Sequence, residues 1–198
     1  MIREALFDYS EATWKREEGI YEADEALYGG RWKNFKKHIK GLLREQGKAK
    51  RGRGAKFRKQ PVFGIYKRNE GKVYLRLIND FDTDTLEPII EEIADKESEI
   101  FSDAWEGYNG LAGLGYIHSR IAHGEGEYVS GRVHTNGIEG FWGLSKTNMN
   151  TYKGIRKNNW KFYLKEMEFR YNYRGLTFEE QVDKIIEILM GKWKEVRC

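Results

Sequence analysis

The chain has 198 residues, of which 39% are hydrophobic, 14% aromatic and 33% charged, and it carries a formal net charge of +4. This length supports one substantial core and one main domain, and the aromatic and apolar content excludes a disordered chain. The chain has no apolar stretch of about 18 residues, as a membrane span would need, and no signal-like N-terminus. Its single cysteine, Cys198, excludes a disulfide framework and a cysteine-rich zinc site. A soluble cytoplasmic protein is therefore expected.

The first elements predicted along the chain are a helix and a strand. Residues 1–18 predict a short amphipathic helix or an arm ahead of the main domain. Residues 19–28, GIYEADEALY, predict the first strand of that domain. Two-residue alternation along this strand places Glu22 and Asp24 on one side and Glu25 on the other.

Residues 31–59 form a strongly basic insertion after this strand. They contain 13 lysines and arginines and one acid, Glu45, so their local charge is +12 and the rest of the chain carries −8. Such a block suits contact with phosphate backbones, and its interleaved aromatic side chains can pack against bases or the body of the protein. The alternative is a solvated loop, because three glycines interrupt any long helix. The candidate DNA-binding residues here are Lys36, Lys37, Lys40, Arg44, Arg51 and Arg53.

The middle of the chain predicts a hairpin followed by a helix and two further strands. Residues 61–68 and 72–80 are apolar strand patterns joined by an Asn-Glu-Gly turn. A helix is expected at 85–96, capped by Thr83 or Thr85, because apolar residues recur there with helical spacing. The remaining predicted elements are a strand at 99–104, a short helix at 108–114, a strand at 116–123, a loop at 124–132, a helix beginning near 134, and helices at 158–173 and 177–194.

The most informative segment is HTNGIEGFWGLSK, residues 134–146. On a helix, the spacings of three and seven residues place Asn136, Glu139 and Lys146 on nearly the same face. That face presents an amide, a carboxylate and an ammonium group.

Two upstream aspartates complete a pattern suited to phosphoryl transfer. Asp24 lies in the first predicted strand and Asp103 at the end of a later one, and 35 residues separate Asp103 from Glu139. Two acids on strands and a third on a later helix can hold a pair of divalent cations. Each acid also has a non-catalytic alternative: an exposed acid at a strand end for Asp24, a helix cap for Asp103, and for Glu139 an acid that complements the dipole at the start of its helix.

These segments resemble the DDE transposases of bacterial and archaeal insertion sequences, most closely the ISXO-like group. The resemblance runs from about Gly19 to Arg174. The matching segments are EADEALYGG, KRGRGAKFRKQPVFGIYKR, SDAWEGYNGL, HTNGIEGFWGLSK and EMEFRYNYR. The resemblance implies an α/β domain of the RNase-H-like fold over residues 19–198, with a mixed five-stranded sheet flanked by helices and further helices at the C-terminus. The order of the predicted elements agrees with that fold.

The resemblance also implies an activity and a set of partners. The activity is metal-dependent cleavage and strand transfer of DNA, with Mg²⁺, or Mn²⁺ in its place, held by Asp24, Asp103 and a third ligand, either Glu139 or Asn136. The expected partners are the DNA of the element ends and target and further copies of the chain, with a nucleoid-associated location. Further DNA contacts are expected at His134, Lys146, Lys153 and Arg156, and His134 is alternatively a helix-cap neighbour or a support for the metal ligands.

The sequence departs from the family pattern in two places. Ala26 stands where a threonine is usual after the Asp-Glu pair. Members of the family usually carry an N-terminal zinc ribbon or helix-turn-helix, and Asp24 lies so early that neither is expected here. Two alternative functions therefore stay open: a domesticated, catalytically inactive DNA-binding relic of a transposase, and an RNase-H-like nuclease.

Overall fold

The computed structural model of the protein describes residues 1–29, 35–49, 59–103, 105–121, 134–152 and 154–191. The strands are β1 (Ile20–Tyr28), β2 (Gln60–Lys67), β3 (Lys72–Leu77), β4 (Glu99–Asp103) and β5 (Ile117–Ile121). The helices are α1 (Ile2–Thr13), α2 (Lys37–Glu45), α3 (Thr83–Ile93), α4 (Asn136–Met149), α5 (Trp160–Asn172) and α6 (Phe178–Leu189). None of the helices in these ranges has the length and apolarity that a membrane span requires.

The five strands form one mixed sheet in the order β3-β2-β1-β4-β5. Strand β2 is antiparallel to both of its neighbours, β1 and β3, whereas β4 runs parallel to both β1 and β5. The β2–β3 hairpin turns at Gly71, whose φ of +64° is readily adopted by glycine. The predicted mixed five-stranded sheet with flanking helices is thereby confirmed.

Alternating side chains of the sheet build two cores on its opposite faces. On one face, Phe63 and Ile65 pack with the apolar stripe of α3, which consists of Leu86, Ile89, Ile90 and Ile93 as predicted. On the other face, Val62, Val73 and Leu75 pack with apolar residues of α4 and α5. The strand alternation predicted for β1 is also confirmed, because Glu25 accepts a hydrogen bond from Tyr108 of the first core while Asp24 faces α4.

Two glycines allow α4 to approach the sheet closely. An ideal Cβ on Gly64 of β2 would lie 2.5 Å from the indole of Trp142, and a Cβ on Gly137 of α4 would overlap the ring of Tyr66. The residues of α4 that face the strands here are buried: Ile138 is 0% exposed and Trp142 is 4% exposed. The missing side chains therefore set the distance between α4 and the strands that carry the candidate site.

Side chains of α5 occupy the outer edge of β3, where a neighbouring strand would otherwise pair. Asn172 accepts a hydrogen bond from the backbone N–H of Val73 at 2.7 Å and donates one to the C=O of the same residue at 2.8 Å. Glu168, one helical turn earlier, accepts a hydrogen bond from Leu75 N–H at 2.8 Å. The FRYNYR segment thus anchors the helix to the hairpin, and the backbone groups that it satisfies are no longer available to a further strand.

Helices α1 and α6 pack against the far side of α5. Leu6, Phe169 and Ile188 form a small third core between the three helices. The start of α6 is stabilised by a capping box, in which Thr177 and Glu180 exchange hydrogen bonds between side chain and backbone.

Several local predictions were wrong or displaced. Residues 106–108 form a single 3₁₀ turn followed by further turns, so the short helix predicted at 108–114 is absent. The helix predicted at 85–96 spans Thr83–Ile93. Its N-cap residue is Asp82, so the predicted cap at Thr83 or Thr85 was wrong. The described part of the basic insertion contains the short helix α2, which ends before Gly47, so the expectation that glycines interrupt any long helix there is not contradicted.

Replacing Gly64 with alanine should destabilise the protein by about 1–3 kcal/mol, because the added methyl group overpacks the contact with Trp142. Gly140→Ala is the matched control, since no atom lies within 4 Å of its ideal Cβ and alanine favours a helix by up to about 1 kcal/mol. Urea unfolding of both variants measures the difference. Equal stability of the two variants would show that α4 does not depend on the missing side chain.

Candidate active site

Asp24 and Asp103 lie on adjacent parallel strands. The register of β1 with β4 pairs Ala23 with Ser102, so the next step along each strand brings the two aspartates level with each other. Residues that are level in a parallel pair project from the same face of the sheet. The negative charge of Asp103 also raises the pKa of Asp24, as expected for carboxylates at the ends of adjacent strands. The sheet therefore brings together the two acids that the sequence singled out.

Asp24 is held by the helix that crosses above it. Its Oδ2 accepts a hydrogen bond from Nε1 of Trp142 at 3.0 Å. Burial is the main reason that the pKa of Asp24 is raised to about 6, and the charges of Asp103 and Glu139 raise it further. A carboxylate in such a setting is stabilised by a cation, because a positive charge offsets both the lost hydration and the repulsion between the acids.

Asp103 is oriented by the turn that follows β4. Its Oδ1 accepts a hydrogen bond from the backbone N–H of Trp105 at 3.0 Å, and the Trp105 indole donates to the Phe81 C=O at 2.8 Å. This hydrogen bond uses one oxygen and is not the helix cap considered for Asp103, because Trp105 occupies the N-cap position of the following 3₁₀ turn and no side chain caps that turn. It is compatible with a place in the site.

The first turns of α4 carry the two alternatives for a third ligand. Asn136 is the first helical residue and Glu139 lies one turn further, and both are exposed. Oε1 of Glu139 accepts a hydrogen bond from Thr135 Oγ1 at 2.7 Å, and the charge of Glu139 contributes to the raised pKa of Asp24. Lys146 is exposed near the end of the same helix. The choice between Asn136 and Glu139 stays open.

The described residues include no group of three or more histidine, cysteine, aspartate or glutamate side chains arranged to hold a metal ion. The aspartate pair nevertheless supplies the oxygen donors that Mg²⁺ prefers. A third donor would come either from Glu139 after its side chain leaves Thr135, or from the amide oxygen of Asn136. The donor chemistry of the site therefore fits a hard divalent cation.

A buried network beside the aspartates was not predicted from the sequence. Glu22 is 1% exposed, and its Oε1 accepts a hydrogen bond from Nε of Arg68 at 2.7 Å. Its Oε2 accepts a hydrogen bond from the backbone N–H of Ile138 in the first turn of α4 at 2.9 Å. Arg68 also donates to the backbone C=O of His134. The available signal was the strand alternation, which put Glu22 on the same side as Asp24 and would have required a partner for a buried charge.

His134 is positioned by this network. Its Nδ1 lies 3.1 Å from Nη2 of Arg68 and 3.6 Å from Oε1 of Glu22. His134 directly precedes Thr135, the N-cap residue of α4, as its interpretation as a helix-cap neighbour requires. Its predicted contact with DNA and its predicted support of the metal ligands stay predictions.

The other predicted DNA-binding residues are distributed over two exposed regions. Lys36 occupies the N-cap position of α2, and Lys37, Lys40 and Arg44 lie on that helix, which buries none of its residues. Arg156 is exposed ahead of a 3₁₀ turn that leads into α5. Arg51, Arg53 and Lys153 lie outside the described residues.

The chain matches the family described as the ISXO2-like transposase domain over residues 18–172. It is similar to an uncharacterized transposase-like protein of Haemophilus influenzae, with 33% identity over 120 residues, covering 61% of this chain and 95% of the relative. It is also similar to an uncharacterized protein in the transposable element ISH50 of Halobacterium salinarum, with 28% identity over 180 residues, covering 86% of this chain and 58% of the relative. The chain therefore spans little more than half of the second relative.

Replacing Asp103 with asparagine should lower the pKa of Asp24 from about 6, because a neighbouring negative charge is removed while burial remains. Since the folded pKa exceeds the ordinary 3.8, the stability contributed by this group should fall as pH rises from 3.8 to about 6. Carboxyl-carbon NMR titration measures the pKa, with Asp95→Asn, at an exposed site paired with Arg16, as the control. An unchanged pKa in Asp103→Asn would show that the two carboxylates are not coupled.

Proposed function

The chain belongs to the ISXO2-like transposase domain family, and we propose that it is a metal-dependent DNA transposase catalytic domain with an RNase-H-like fold. The observation that carries the proposal is the pair formed by Asp24 and Asp103 beneath the helix that carries Asn136 and Glu139. The sheet order, with antiparallel β1–β3 and parallel β4 and β5, supports the fold assignment.

In the proposed reaction, a hydroxyl group attacks the phosphorus of a phosphodiester in DNA, and the bond to the leaving oxygen breaks. Water supplies the hydroxyl for cleavage, and the released 3′ end supplies it for joining to the target. When bound, Mg²⁺ or Mn²⁺ would activate the attacking oxygen and stabilise charge on the leaving oxygen. Asp24 and Asp103 would hold the metal, together with Glu139 or Asn136.

The other residues of the site would orient these ligands and the DNA. The Trp142 indole fixes one oxygen of Asp24, and the Trp105 N–H fixes one oxygen of Asp103. The exposed ammonium of Lys146, on the helix face that carries both candidate third ligands, would contact a phosphate near the scissile bond.

The helix α2 would supply contacts to DNA that do not depend on sequence. Lys36, Lys40 and Arg44 follow one another at intervals of four residues, and Lys37 lies beside this row. Like charges at this spacing repel one another, so bound phosphates would stabilise the helix as well as the complex.

Substitutions in α4 separate the two candidates for the third ligand. If Glu139 binds metal, Glu139→Gln should reduce Mg²⁺-dependent cleavage by more than about 100-fold, beyond the range usual for supporting residues, while Asn136→Ala is milder. If Asn136 binds metal, the order reverses, and Asn136→Asp should keep some activity because an oxygen donor is restored. Cleavage of labelled duplexes carrying the element ends measures activity, and filter binding checks that DNA affinity is retained.

Asp183→Asn, at an exposed position of α6, is the control for loss of one negative charge. Full cleavage in both Glu139→Gln and Asn136→Ala would contradict the proposed active-site helix. DNA binding without cleavage by the unsubstituted chain would favour the inactive DNA-binding relic, and cleavage of RNA or branched DNA without preference for element ends would favour a nuclease.

Neutralising the basic row of α2 should weaken binding to unrelated duplexes to a similar extent. The slope of log affinity against log salt should flatten by about 0.9 for each phosphate contact removed. The quadruple variant replaces Lys36, Lys37, Lys40 and Arg44 with glutamine, and fluorescence anisotropy at several salt concentrations gives the slope.

A matched control removes four positive charges that are paired with acids elsewhere, namely Arg16, Lys72, Lys96 and Lys184. The control should retain a steeper slope than the α2 variant. Equal slopes in the two variants would assign the effect to net charge, and the role proposed for α2 would be wrong.

A further inference from the structure

Glu22 is a buried carboxylate next to the candidate site that the proposed chemistry does not use. Its side chain is 1% exposed, and it lies two residues before Asp24 on the same face of β1. A buried carboxylate loses its hydration, and this cost destabilises the protein unless other contacts offset it. The contacts that Glu22 makes therefore indicate its role.

Both oxygens of Glu22 are committed to the elements that frame the site. Oε2 accepts a hydrogen bond from the N–H of Ile138 at 2.9 Å, and Ile138 lies between Asn136 and Glu139 on the first turn of α4. The first N–H groups of a helix have no partner within the helix and form its positive end. A buried carboxylate at this end therefore fixes the first turn in place.

Arg68 holds Glu22 in the orientation that this contact requires. Its Nε donates to Glu22 Oε1 at 2.7 Å, its Nη2 donates to the C=O of His134, and its guanidinium stacks 4.2 Å from the ring centre of Phe101. The same guanidinium thus joins β1 to the segment that leads into α4. The strand that carries Asp24 and the helix that carries the third ligand are linked through one ion pair.

We propose that Glu22 is a positioning residue, which sets the first turn of α4 against Asp24 and thereby places the third metal ligand. The inference rests on the proposed function, since it assumes that a divalent cation binds at Asp24. It holds whether the third ligand is Asn136 or Glu139, because Ile138 lies between them.

A purely structural role for Glu22 is the competing explanation, and the chain contains a matched control for it. Glu168 is 3% exposed, accepts a hydrogen bond from a backbone N–H, that of Leu75 at 2.8 Å, and pairs with Lys165 at 2.9 Å. It performs these tasks at the edge of β3, away from the aspartates. Glu22→Gln and Glu168→Gln therefore each change a buried carboxylate that accepts a backbone hydrogen bond and forms an ion pair, one beside the aspartates and one away from them.

The test compares Mn²⁺ binding by the two variants, measured from the electron paramagnetic resonance signal of free Mn²⁺, with thermal unfolding measured in parallel. Both variants should unfold at lower temperature, because each removes the charge of a buried carboxylate that forms an ion pair and accepts a backbone hydrogen bond. Only Glu22→Gln should weaken Mn²⁺ binding, by about 10- to 100-fold, as supporting residues of metal sites usually do. The Mg²⁺ concentration for half-maximal cleavage should rise by a similar factor, with DNA affinity unchanged.

Glu22→Asp provides a second variant should Glu22→Gln fail to fold. It keeps the charge that Arg68 requires but withdraws the carboxylate from Ile138 by one methylene, so it should fold and still weaken Mn²⁺ binding. Wild-type Mn²⁺ affinity in the folded Glu22 variants, or equal weakening in Glu168→Gln, would overturn the positioning role. If the unsubstituted chain binds Mn²⁺ without cleaving DNA, the proposed function fails while the Glu22 comparison still decides this inference, and if it binds no Mn²⁺, both fail.

Discussion

The distance between α4 and the sheet is the constraint on which the rest of the site depends. The helix has to lie low enough for Trp142 to reach Asp24 and for the N–H of Ile138 to reach Glu22. The absence of a side chain at Gly64 and Gly137 makes this approach possible. Packing and hydrogen bonding act in the same direction here, because the close contact that buries Trp142 also brings two polar groups within bonding distance of the strand.

Two acids on the same face of β1, Glu22 and Asp24, have opposite electrostatic surroundings. Glu22 is neutralised by Arg68 and a helix N-terminus, so its burial is compensated. Asp24 accepts hydrogen bonds from the indole N–H of Trp142 and from a backbone group, and two neighbouring carboxylates oppose its ionisation. The protein thus offsets the charge of one buried acid, whereas burial and neighbouring carboxylates raise the pKa of the next acid on the same face.

The sequence predicted the parts of the fold that depend on local pattern. Alternation in β1 separated Asp24 from Glu25, and helical spacing identified the buried stripe of α3 and the start of α4. It did not predict what depends on contacts between distant segments. The partnership of Glu22 with Arg68 joins residues 46 positions apart, and no spacing rule indicates it. The 3₁₀ turn at 106–108 was missed because Asp103 and Phe81 fix the backbone around Trp105 through tertiary hydrogen bonds.

The side chains of α5 that cover the outer edge of β3 determine at which edge the sheet can be extended. Glu168 and Asn172 take up the backbone groups that a sixth strand would need on that side, so no strand can be added beyond β3 without displacing a helix. Within the described ranges, no strand pairs with the outer side of β5. An added segment, from the same polypeptide or from another one, would therefore extend the sheet at the outer edge of β5. There it would be separated by one strand from β4, which ends in Asp103.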